Sequence, residues 1–150
     1  MELLFQTNSS VAPLFVRVAL GIVFFAHGAQ KLFGWFGGQG LSATLTAFRN
    51  NLKIPAPLAL LAILAEALGG LGLIVGFLAR LDALAICATM VVAAYVAHAK
   101  FGFFLNWFGE KPGHGVEYHV LAVAMCLSVI VTGAGALSLD RAIACLFPHG

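Results

Sequence analysis

Between Leu60 and Arg80 the chain reads LLAILAEALGGLGLIVGFLAR, an apolar run interrupted by a single acidic residue, Glu66. A run of this length predicts a helix that crosses a bilayer. Starting near Pro55 to Pro57 and rising about 1.5 Å per residue, that helix carries Glu66 roughly 14 to 16 Å inward, close to the bilayer midplane. A carboxylate there is costly unless it is protonated, paired or wetted, so the other segments must supply what answers it. Ala59, Ala62, Gly69, Gly70 and Leu73 lie at helical spacings from Glu66, and Gly72 with Gly76 forms a GxxxG, so neighbouring helices can approach closely.

The remaining chain has the same character. Of its 150 residues 61% are hydrophobic and only 9% charged, and the mean hydropathy is +1.00, values outside the range of a soluble domain. The expected fold class is all-α: a polytopic membrane four-helix bundle in one integral membrane domain over residues 1–150, with spans at about 13–36, 57–79, 82–101 and 117–137. Glu2 to Phe5 lacks the basic start of a signal peptide, so the first span is expected to be retained. The net charge of +2 sits on scattered residues without a basic run, which excludes nucleic acid as a partner and leaves the lipid bilayer. Cys87, Cys126 and Cys145 have no CxxC or zinc spacing and read as packing residues.

Between the first two spans, Leu41, Leu45, Phe48 and Leu52 recur at helical spacing with Thr, Arg and Asn opposite, predicting a short interfacial amphipathic helix. The aromatic, glycine-rich segment KFGFFLNWFGEKPGHG before the fourth span suits a headgroup-level belt or a re-entrant turn. Ser138 or Asp140 can cap a short terminal helix. On the side that holds both termini, Arg17 is expected to snorkel to the interface, and Arg80, Asp82, Asp140 and Arg141 to join it in a mixed ion-pair cluster.

The candidate site lies toward the opposite side. His27, Gln30 and Lys31 are related by three- and four-residue steps and share a helix face, as do Val91, Ala94, Tyr95 and His98. Following the up-down path, His27 lies about 12 Å, Glu66 about 15 Å, His98 about 9 Å and His119 within about 5 Å of that side. Acid, base and cation from four segments thus agree in depth. Glu66 and His27 are the candidate proton-transferring pair, and Lys31, Gln30, Tyr95, His98 and His119 the candidate ligand-binding residues. Intramembrane histidines also serve as hydrogen-bonding links between helices, a reading that weighs more for His98 and His119 than for His27 and Glu66.

Arg17, Gly21, His27-Gly28-x-Gln30-Lys31, Glu66-x-x-Gly69-Gly70 with Gly76 and Arg80, and Gly133-x-Gly135-x-Leu137-Ser138-Leu139-Asp140 together resemble the DoxX family of small four-helix membrane proteins. The resemblance implies a multi-pass protein of a bacterial-type inner (plasma) membrane, related to subunits of thiosulfate:quinone oxidoreductase and to partners in membrane oxidoreductase complexes. It favours a quinone-linked redox subunit: His27, Lys31 and Glu66 offer hydrogen bonds and a proton route to a quinone-like ligand in one leaflet. No paired cysteine or flavin motif supplies a redox centre, so electrons would come from a redox partner or a reduced substrate. The alternatives are a non-catalytic anchor for a soluble oxidoreductase, and a metal- or haem-binding membrane protein. A homo-oligomer is compatible with each.

Overall fold

A computed structural model describes residue 5 and residues 7–146. Among them the chain is all-helical, with six α-helices: α1 (Ala12–Phe33), α2 (Gly40–Asn51), α3 (Ala56–Val75), α4 (Ala79–Ala93), α5 (Glu117–Thr132) and α6 (Leu139–Leu146). A π turn over Ala94–His98 and a 3-10 turn over Ala99–Phe101 prolong α4. Ala12–Phe33, Ala56–Val75 and Ala79–Phe101 are long and apolar enough to cross a membrane, while α5 is apolar but shorter. Their outward faces carry Phe15, Ile22, Leu61, Leu68, Leu84, Leu121 and Val131, large apolar side chains that only lipid can solvate favourably. This is a multi-pass helical membrane bundle.

The tightest contact in the bundle joins α1 to α3. A Cβ on Gly21 would come within 2.6 Å of the Gly70 carbonyl oxygen, one on Gly70 within 2.4 Å of the Phe25 nitrogen, and one on Gly28 within 2.3 Å of the Ala67 nitrogen. Only residues without side chains allow backbones this close, the small-residue packing the sequence predicts. Leu20, Phe24, Leu73, Ile86, Cys126 and Val129 fill the core beside this seam. Along α2 the apolar positions Leu41, Leu45, Phe48 and Leu52 are half-buried against α1 and α3, while Ser42, Thr46, Arg49 and Asn50 are exposed.

Helix boundaries differ from the expected ones where distant residues intervene. The turn expected at Arg80 to Asp82 lies at Gly76 to Leu78, since Gly76 adopts φ +71° and ends α3. The buried Asp140 carboxylate then accepts the Leu78 N–H (2.7 Å) and the Ala79 N–H (3.0 Å), starting α4. Arg17 does not snorkel. It is 1% exposed, and its guanidinium donates to the carbonyls of Leu73 (2.8 Å), Ile74 (2.6 Å), Ala134 (2.9 Å) and Leu137 (2.7 Å). Arg80 donates to the Ile130 and Val131 carbonyls. Arg17, Arg80 and Asp140 do act on one another electrostatically, as the expected cluster requires, and their hydrogen bonds go to helix ends. Two cations sit at the C-termini of α3 and α5 and one anion at the N-terminus of α4, the signs that helix dipoles favour.

The fourth expected span, to residue 137, stops as helix at Thr132, where Gly133 turns at φ +76°. The segment before α5 folds back on itself as a hairpin-like loop. The Val116 N–H donates to the Gly102 carbonyl (3.1 Å), the Glu117 N–H to the Phe103 carbonyl (2.8 Å), and the Leu105 N–H to Glu117 Oε2 (3.0 Å). Phe103, Phe104, Trp107 and Phe108 are left exposed along it.

Candidate functional site: a buried ion pair with unpartnered polar neighbours

The glycine seam decides what faces Glu66. Because Gly28 backs onto Ala67, the residue next to Glu66, the last turn of α1 passes directly over the carboxylate. Lys31, one turn beyond Gly28, reaches down and forms an ion pair with Glu66 Oε2. Glu66 is 3% exposed and the Lys31 side chain 27%, so the acid is enclosed while the ammonium keeps a path outward. At such burial an unpaired carboxylate is costly, and Lys31 removes that cost.

Lys31 also lines a cavity of about 320 Å3 with Gln30, Gly37, Gly38, Thr44, Ala47 and Phe48, between the end of α1 and the inner face of α2. Gly38 is needed there: a Cβ on it would meet the Gln30 carbonyl oxygen at 2.3 Å. Gln30 donates from Nε2 to the Phe36 carbonyl (3.1 Å), so its amide holds the loop and borders the cavity at once.

His27 is exposed and has no hydrogen bond to Glu66, although it lies near enough to Lys31 and Glu66 to interact electrostatically with both. Its ring centroid is 6.5 Å from that of Tyr118. Tyr118, which the sequence reading passed over as a site residue, belongs to this group. Its ring packs on Phe24 at 6.4 Å, it feels the Glu66 charge, and its hydroxyl is buried without a hydrogen-bond partner. The signal was present in the sequence: Tyr118 precedes Ala122, Cys126 and Val129, all buried, by four, eight and eleven residues.

His98 and His119 form a second group, with ring centroids 4.3 Å apart. His98 Nδ1 lies 2.9 Å from the His114 carbonyl oxygen, which can only accept, so this nitrogen carries the proton. His119 is 6% exposed, and its Nδ1 is buried with no partner. The Tyr118 and His119 rings, 5.6 Å apart and edge to face, connect the two groups. Tyr95 makes no ring contact with either histidine and is 84% exposed, although it lines the same groove as His119. The π turn over Ala94–His98 interrupts the regular spacing from Val91 to His98. Among the described residues no group of three or more His, Cys, Asp or Glu converges to hold a metal ion.

Several membrane-crossing helices, a glycine-packed seam and a charge pair enclosed beneath an amphipathic helix define a small multi-pass membrane protein with a polar interior. The family model described as DoxX matches residues 12–99, and the chain belongs to that family. It is 28% identical over 131 residues to "Inner membrane protein YqjF" of Escherichia coli (strain K12), covering 87% of this chain and 91% of the relative. It is 25% identical over 130 residues to "Putative oxidoreductase CatD" of Bacillus subtilis (strain 168), covering 87% and 85%. No solved structure matches the chain.

Proposed function

We propose that this protein is an integral subunit of a quinone-linked oxidoreductase in a bacterial-type inner (plasma) membrane, where α5 makes the fourth crossing of a single domain and α2 lies at the interface. The observation that carries the reading is the Lys31–Glu66 pair, whose acid is 3% exposed and whose lysine lines the α1–α2 cavity. Its volume lies at the small end of the range for small-molecule sites, roughly 300 to 1,000 Å3. A quinone ring carbonyl approaching through it meets the Lys31 ammonium as donor, with the amide of Gln30 and the hydroxyl of Thr44 on the wall. Glu66 behind Lys31, with His27 and the Tyr118 hydroxyl beside it, can hold a proton released or required as the ligand changes oxidation state. The name of the Bacillus subtilis relative, an oxidoreductase, and that of the Escherichia coli relative, an inner membrane protein, support the class and the compartment. Electrons reach the ligand from a redox partner.

Titration of the purified protein in nanodiscs with a short-tailed benzoquinone, followed by quenching of Trp35 at the loop beside the cavity, tests the reading. Glu66→Gln should abolish quenching at saturating probe. Lys31→Met should abolish it as well, because the ligand loses its charged donor on the cavity wall. Parental affinity in both variants refutes the proposal. Recovery of a stoichiometric soluble oxidoreductase with a chain that binds no quinone would instead establish the anchor role.

A further inference from the structure

We propose that the groove between α4 and α5 is a second, bilayer-facing site for a lipid-soluble ring compound with an oxygen-bearing head. The inference rests on the quinone reading above for its ligand class, and assigns it a lateral site distinct from the α1–α2 cavity. The open groove offers about 550 Å3, and Val91, Ala94, Tyr95, Val123 and Leu127 line it together with His119.

Three features select the occupant. Val91, Tyr95, Val120 and Leu127 are exposed on helices that cross or border the membrane, so whatever fills the groove comes from the lipid phase. An acyl chain could cover these walls, but it has nothing to offer the buried, unpartnered His119 Nδ1. A buried polar nitrogen without a partner is costly, and a hydroxyl or ring carbonyl removes that cost while an apolar body fills the walls. His119 lines the groove and carries that nitrogen, so a head seated there lies against the ring that needs a partner.

The third feature is the π turn over Ala94–His98, a departure from α geometry that recurs at functional sites. It sets Ala94 and Tyr95 on the groove rim and stacks His98 on His119 at 4.3 Å. Since His98 Nδ1 is committed to the His114 carbonyl, His119 Nδ1 is left for a guest. Consecutive residues of α5 thus serve different neighbourhoods: His119 lines the groove, and Tyr118 feels the Glu66 charge.

A photoreactive azidobenzoquinone with a short alkyl tail, reacted with the full chain in nanodiscs and mapped by peptide mass spectrometry, tests this. The parent should be labelled both around Lys31 and on the groove residues Val91, Tyr95 and Leu127. Val123→Trp, which fills the groove, should remove the groove label and leave the Lys31 label. Ala124→Phe, at an exposed wall position that asks nothing of the core, should do the same if the Trp variant fails to fold. His119→Phe should lower groove labelling about tenfold. Groove labelling that survives either filling variant, or that is undiminished in His119→Phe, overturns the proposal. Labelling of the Lys31 cavity alone overturns the lateral site and leaves the functional reading standing, whereas no labelling at either place overturns both.

Discussion

Gly28 lies against the backbone of Ala67 so closely that a single methyl group on it would sit 2.3 Å from the Ala67 nitrogen. Lys31 reaches Glu66 only because these two backbones touch. Gly28→Ala should therefore push α1 away from α3, destabilise the protein by about 3 kcal/mol, and break the ion pair. Gly37→Ala is the control, since a Cβ there meets nothing within 4 Å and the cost is confined to its φ of +77°, about 1 kcal/mol. Thermal unfolding in detergent should rank the two in that order; equal losses would mean that the seam is not sterically tight.

The ion pair should respond asymmetrically to removal of its halves. Lys31→Met leaves a carboxylate that is 3% exposed without its cation, at a cost of about 3 to 5 kcal/mol. Glu66→Gln leaves a lysine that can extend toward water, and should cost about 1 kcal/mol. Removing both charges together in Lys31→Met/Glu66→Gln should recover most of the first loss. Unfolding free energies from a double-mutant cycle measure this directly, and a symmetric pair of losses would place Lys31 as deeply buried as its partner.

The caps at the other end should matter for stability and not for ligand binding. Asp140→Ala leaves the Leu78 and Ala79 N–H groups without their acceptor, a loss of about 2 to 4 kcal/mol. Arg17→Lys should also destabilise, because three ammonium protons cannot reproduce a planar fork that serves four carbonyls. Benzoquinone affinity, corrected for the folded fraction, should stay at the parental value in both. A drop in affinity would show that the two ends of the bundle are coupled.

What could be read from the sequence followed the range of the forces involved. The span around Glu66 and the face of Leu41, Leu45, Phe48 and Leu52 were legible because length and period are local properties. The Lys31–Glu66 contact was within reach too, since a rise per residue and an up-down path bring the far end of the first helix to the middle of the second. The turn at Gly76 was misplaced because the group that starts α4 is a carboxylate some sixty residues away. Local sequence points Arg17 to the interface, since no local pattern announces carbonyls from two other segments. Spacing puts Tyr95 on one face with Val91 and Ala94, which the groove keeps, but its 84% exposure depends on neighbours that spacing does not supply; Tyr118 gains its place only once Phe24 and Glu66 are near it.

The origin of those caps sets an order on biosynthesis. When α1, α3 and α4 have left the ribosome, Arg17 still lacks the carbonyls of Ala134 and Leu137, and α4 lacks its acceptor from Asp140. The early hairpin must wait in the membrane with a cation half-solvated and a helix start open until residues 133–140 arrive. Those eight residues complete the hydrogen bonding of Arg17 and of the start of α4, so a chain truncated before them leaves both with unmet polar groups.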